Sequence, residues 1–153
     1  MKDHHIWQTQ TQTQLKLRTA EFDLKQRVKY ETDFILQAIS KAPPLIQDEN
    51  QLAAFKKETE ALIDAIPADD GPKFFPKDFS AQFTRYKSML IKQYKLVPKG
   101  YYTGIWIAIG LALGTSIGLS MGNFPIGIAI GISLGVAIGA SLNAKAEKEG
   151  KVL

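Results

Sequence analysis

Over its first two thirds the chain spaces its apolar residues as helices do. From about Leu15 to Lys41, Leu17, Leu24, Val28, Ile35 and Ile39 fall within a narrow arc at ~100° per residue, with Arg18, Lys25, Lys29 and Asp33 beside or opposite it. "APP" (Ala42 to Pro44) predicts a stop, because proline lacks a donor and restricts the residue before it. A second helix is predicted from near Asp48 or Asn50, either of which can cap free backbone N–H groups, and its face gathers Leu52, Phe55, Leu62, Ile63 and Ile66. Thr59 falls inside that stripe. The expectation is a buried hydroxyl bonded back to the Phe55 carbonyl; the alternative is a polar contact for a partner helix. A third helix is predicted from about Phe79 to Leu96, with Phe79, Phe83, Tyr86, Leu90 and Tyr94 in one stripe and Arg85, Lys92 and Lys95 pointing away. That stripe suits either the core seam of a three-helix domain or a helix lying in a membrane interface.

The flanks carry no such period. "QTQTQTQ" (Gln8 to Gln14) has no apolar face, so residues 1–14 read as a disordered lead-in. "PADDGPKFFPKD" (Pro67 to Asp78) reads as a turn-rich linker.

After Lys99 the pattern changes altogether. Glycine recurs at every fourth position, at Gly110, Gly114, Gly118 and Gly122, then at Gly127, Gly131, Gly135 and Gly139. Small residues also recur at every second position, so the run satisfies a strand period as well, and strands with one small face could stack as a silk-like sheet. As helices, the same pattern stacks the glycines into a groove, places Ala and Ser nearly opposite, and fills the flanks with Ile and Leu. Small residues four apart let helix backbones approach closely in lipid, where no hydrophobic effect drives them together.

Length favours helices. Tyr101 to Met121 is 21 residues and Phe124 to Leu142 is 19, roughly 31 and 28 Å at ~1.5 Å per residue, against a hydrocarbon core about 30 Å thick. "GNFP" (Gly122 to Pro125) offers Gly and Asn as a stop and then Pro for a first turn. Two strands alone would leave unpaired edges in lipid. The prediction is a transmembrane helical hairpin over 100–144, its helix-packing residues the eight glycines above. Lys95, Lys99, Tyr101, Tyr102, Trp106 and Lys145 are its expected interface anchors. Ile and Leu in the first helix give only about −2 to −4 kcal/mol toward insertion. Packing must therefore complete the stability, and two small faces per helix predict homo-oligomerisation.

Charge supports this division. Residues 1–99 hold 16 of the 19 Lys and Arg and 13 of the 15 Asp and Glu, while Gly100 to Ala144 holds none. The domains expected are the lead-in, a cytoplasmic helical region over 15–99, the hairpin, and a charged cytoplasmic tail over 145–153. Arg85, Lys87, Lys92, Lys95 and Lys99 precede the hairpin and Lys145, Lys148 and Lys151 follow it, so the positive-inside rule puts both termini in the cytoplasm of a multi-pass inner-membrane protein. A net charge of +4, spread and mixed in sign, does not suggest a nucleic-acid partner. "MKDHHIWQTQTQTQ" has no apolar h-region of a signal peptide, and the absence of cysteine leaves no thiol chemistry.

Candidate catalytic chemistry is sparse. His4 and His5 are adjacent with no third ligand at useful spacing, so no metal site is expected. "ADDG" (Ala68 to Gly71) reads as turn chemistry, and "GTSIG" (Gly114 to Gly118) fits the letters of a nucleophile elbow but lies inside the apolar run. Neither an enzyme nor a cofactor is expected. "LVPKGYY", the repeats "GLALG" and "GIAIG" around "GN", and the tail "NAKAEKEGKVL" resemble a functionally uncharacterised group of short bacterial glycine-zipper membrane proteins, over roughly residues 94 to 153. The resemblance implies the membrane hairpin and supplies no catalytic residue. The fold class expected is therefore all-α, about three amphipathic helices followed by a glycine-zipper hairpin. The function expected is a self-associating membrane anchor that presents the helical region to a cytoplasmic protein partner. An oligomeric pore, channel or toxin-like protein is the alternative, with Ser116, Ser120, Ser133 and Ser141 lining its path.

Overall fold

A computed structural model describes residues 2–67 and 77–153, and nearly all of them are helical. Among the described residues, seven α-helices run in the order α1 Lys2–Arg18, α2 Leu24–Lys29, α3 Thr32–Lys41, α4 Glu49–Asp64, α5 Lys77–Tyr94, α6 Tyr101–Ser120 and α7 Phe124–Lys148, with a 3₁₀ turn at Pro43–Leu45. The all-α class is as expected. The chain divides into two compact units, one running to Leu96 and including Leu153, the other Val97–Val152.

The first unit is a helical bundle around an aromatic core. Phe55 and Phe79 are fully buried and Tyr86 nearly so. Phe55 stacks on Tyr86 at 6.1 Å between centroids and meets Tyr94 edge-on at 6.0 Å. Offset and edge-on geometries place the positive ring edge of one aromatic against the negative face of another. The α5 stripe Phe79, Phe83, Tyr86, Leu90 and Tyr94 is buried at every position while Arg85, Lys92 and Lys95 are exposed, so this stripe is a core seam and not a membrane-facing surface. Thr59 is fully buried; its hydroxyl reaches the Phe55 carbonyl at 2.7 Å, as expected, and the Tyr86 hydroxyl at 3.1 Å. Asp48 caps α4 through the Gln51 N–H at 2.8 Å.

Two expectations are corrected. The lead-in is not disordered: α1 begins at Lys2 and packs against the bundle. Trp7 meets Phe55 edge-on at 5.8 Å and donates its indole N–H to Glu60, Gln8 donates to the carbonyls of Ile39 and Ser40, and Thr11 and Leu15 are buried. Nor do residues 15–41 form one helix. The chain turns after Arg18, Phe22 enters the core, and Asp23 restarts a helix by a capping box with Gln26, whose side chain returns the bond to the Asp23 N–H. A second break falls at Tyr30 and Glu31, the latter with φ 50°. Each break rotates the face that follows. Ile35 and Ile39 stay fully buried, whereas Leu17, Leu24 and Val28 are exposed. The expected linker, with "ADDG", falls chiefly on residues 68–76, outside the described residues.

Thr59→Val leaves the buried Tyr86 hydroxyl without this partner and is expected to cost about 1–3 kcal/mol, whereas Tyr86→Phe leaves Thr59 bonded to Phe55 and should cost about 0.5–1.5 kcal/mol. Urea midpoints of the full chain in detergent, read from Trp7 fluorescence in a Trp106→Phe background, check the order. Burial pushes the Tyr86 phenol well above its ordinary range, and burial followed by the Asp48 charge raises Tyr94 less strongly. The unfolded chain releases these protons near pH ~10 while the folded chain holds them. The contribution to stability is therefore complete below that pH and declines above it, and Tyr86→Phe should flatten the decline.

Candidate functional site: a hairpin with glycine inside and large apolar side chains outside

Backbone chemistry closes the second unit at both ends. At the turn, Gly122 adopts φ 68°, the Gly122 N–H reaches the Leu119 carbonyl at 3.1 Å, and the Asn123 N–H reaches the Gly118 carbonyl at 2.9 Å. This Schellman pair uses a left-handed glycine to satisfy the last carbonyls of α6. Asn123 then caps α7 through the Ile126 N–H, with Pro125 in the first turn. The far end of α7 repeats the device: Gly150 has φ 68°, its N–H bonds Glu147 O at 3.0 Å, and the Lys151 N–H bonds Ala146 O at 2.9 Å. Residues 145–148 are thus the last turn of α7 and not a separate tail. Beyond them the Lys151 carbonyl accepts the Val97 N–H at 2.9 Å, and the Lys151 ammonium, 2.7 Å from Glu149, holds that carboxyl below its ordinary range.

Asn143 ties the open end across the two helices. Its side-chain oxygen accepts from the Tyr102 N–H at 3.1 Å and its amide donates to the Thr103 hydroxyl at 2.6 Å. Gly100, the residue before α6, has no side chain with which to cap it, so an orphan donor of α6 is satisfied from α7. Asn143 was not among the expected site residues. An isolated polar side chain at the end of an apolar run was the available signal, but its partner is set by hairpin register.

Between these ends the helices are inverted relative to an ordinary amphipathic pair. The buried residues of α6 are Gly110, Gly114 and Gly118; those of α7 are Gly127, Gly131, Gly135, Gly139 and, near its end, Ala146. Large apolar side chains face outward, from Ile132 at 38% exposed to Met121 at 68%. The glycine backbones touch. A Cβ added at Gly114 would stand 2.8 Å from the Gly131 Cα, one at Gly131 2.9 Å from the Gly114 Cα, and one at Gly139 2.5 Å from the Thr103 Cα. Gly110 and Gly131, and Gly114 and Gly127, oppose each other's carbonyls more closely still, and Gly135 faces the backbone of Trp106 and Ile107. Of the eight expected packing glycines, seven meet in this seam. Gly122 does not: nothing lies within 4 Å of its Cβ position, and its role is the turn.

The expected anchors lie before α6, in its first two turns and in the last turn of α7. Lys95 and Lys99 are exposed, Tyr101 and Tyr102 are half-buried and meet edge-on at 5.3 Å, Trp106 is half-buried, and Lys145 is exposed in the last turn of α7. Three of the serine hydroxyls fold back on their own helices, Ser116 to Ala112 O, Ser120 to Ser116 O and Ser133 to Ala129 O, at 2.8–3.0 Å. Both helices are long and apolar enough to cross a membrane, and only 17% and 22% of their most apolar windows are buried within the protein. His5 is exposed, and among the described residues no group of three His, Cys, Asp or Glu converges on a point.

If the seam holds the hairpin together, bulk placed in it must act differently from bulk on the opposite face. The chain has no native cysteine, so spin labels on Leu113→Cys and Leu134→Cys report the interhelical distance in detergent. Gly131→Leu should lengthen and broaden the distribution, while Ala112→Leu, at an exposed position, should leave it unchanged.

No family model, curated protein or solved structure matches the chain.

Proposed function

We propose that the chain is a bacterial inner-membrane protein. Its α6–α7 hairpin spans the bilayer, self-associates, and anchors a cytoplasmic helical domain that serves as an interaction scaffold for a protein partner. One observation carries the membrane part: large Ile and Leu side chains cover the outside of the hairpin and glycines fill the inside. In water that arrangement would expose more contiguous apolar surface than soluble proteins carry. Lipid tails reward it, and α6, with 20 residues, is ~30 Å long, close to the hydrocarbon thickness. The resemblance to short glycine-zipper membrane proteins points the same way.

The geometry changes where self-association would occur. Because the glycines meet within one chain, the faces left for a second copy carry Ala108, Ala112, Ser116 and Ser120 on α6 and Ala129, Ser133 and Ala137 on α7. Small side chains with internally bonded hydroxyls favour close helix approach over water contact. That weighs against a conducting pore, as does the absence of charge from Gly100 to Ala144.

Multi-angle light scattering in a mild detergent should give a mass of more than one chain. Ser116→Leu with Ser133→Leu should reduce it toward one chain, and Ser116→Ala with Ser133→Ala, which keeps both positions small, should not. For orientation, a cysteine at Asn123 in an intact cell should be blocked by an impermeant thiol reagent applied outside. A block seen only after permeabilisation would reverse the topology.

A further inference from the structure

The most exposed large apolar side chains among the described residues are not on the hairpin. They are Leu24 at 82%, Leu17 at 72% and Val28 at 70%, against 68% for Met121, the most exposed on the hairpin. Leu24 and Val28 are four apart on α2, so they share one face. At ~100° per residue Lys25 and Arg27 stand on either side of that face, and both are exposed. Lys16, in the last turn of α1, lines a shallow cleft together with Arg27 and Asp33, so a third cation is brought beside α2. The Asp23 carboxylate is engaged by the Gln26 N–H at 2.7 Å, within the capping box.

We propose that this α2 face, with Leu17 in the neighbouring turn, docks on an anionic bilayer surface. The reading rests on the membrane assignment of the hairpin. Two apolar side chains flanked by cations are what an interfacial helix presents to headgroups: the side chains enter the acyl boundary and the ammonium and guanidinium groups meet lipid phosphates. An acidic protein surface would satisfy the cations but would not by itself call for side chains this exposed. The tether favours the bilayer further. Only Lys95 to Gly100 separates α5 from α6, so an inserted hairpin tethers the first unit to the same membrane and docking is effectively intramolecular. Capping supports the short helix independently of lipid, so the face is pre-ordered and little ordering entropy is spent on docking.

The test uses the full chain reconstituted in vesicles of phosphatidylcholine, with or without added phosphatidylglycerol. An environment-sensitive fluorophore is placed on Val28→Cys, and on Leu119→Cys in a separate sample, with spin-labelled lipid as quencher. The Val28 label should be blue-shifted and quenched when phosphatidylglycerol is present. Lys25→Gln with Arg27→Gln should lower the docked-to-undocked ratio about 25-fold, about fivefold per cation removed. Quenching at Leu119 without quenching at Val28 overturns the docking proposal and leaves the membrane reading standing. Quenching at Val28 that ignores both anionic lipid and the charge substitutions overturns it too. An unquenched Leu119 label overturns both readings.

Discussion

Direct contact between glycine backbones is the constraint on which the second unit depends. Two helices can bring Gly114 and Gly131 this close only where neither carries a Cβ, since the added atom would stand under 3 Å from the opposite Cα. Everything else in α6 and α7 follows. With the inner positions reserved for hydrogen atoms, most bulky residues face outward, and the apolar surface that an ordinary protein would hide becomes the hairpin's exterior. Such an exterior suits lipid better than water. Glycine's weak helix propensity matters little in lipid, where an unpaired peptide group costs several kcal/mol and the helix is the state that pairs them all.

The first unit obeys the opposite rule. Its aromatic residues point inward, and the polar groups that accompany them are bonded in place, as with Thr59 between the Phe55 carbonyl and the Tyr86 hydroxyl. One chain therefore contains two solutions to burial, large side chains inside and cations outside up to Leu96, then glycine inside and large side chains outside. The change coincides with the loss of charge in the sequence, so the boundary was readable within a few residues.

Much of the architecture was legible because period and length survive translation into structure. The fourfold glycine spacing marked the seam, the α5 stripe fitted a core face, and Asp48 was one of two candidate caps for α4, whereas Asn123, read as part of a stop, caps α7. What was missed had physical causes. The inward side of α1 repeats every fourth residue, at Trp7, Thr11, Leu15 and Thr19, but two of the four are threonines and read as polar. In the structure the Thr19 hydroxyl turns back to the Leu15 carbonyl, and the side chain is buried. Residues 15–41 looked like one stripe because periodicity has no record of a break. The capping box at Asp23 and Gln26 was the available warning, and once it stops the first helix, Leu24 and Val28 lose their phase with Ile35 and Ile39. Asn143 was beyond reach for a different reason: its work lies on the neighbouring helix, at a distance only the register defines.

The turn at Met121–Asn123 has a consequence for what the molecule can sense. It is three residues long, carries no charge, and spends the Gly122 and Asn123 N–H groups and the Asn123 side chain on its own helix ends. In a bilayer, a protein approaching from the side of the turn would find almost nothing there to grip: no loop, no ionised group, and few free donors. Signals from that side would have to arrive as changes in the lipid itself, in thickness or tension. Within the second unit every charged side chain lies outside Gly100 to Ala144, away from the turn.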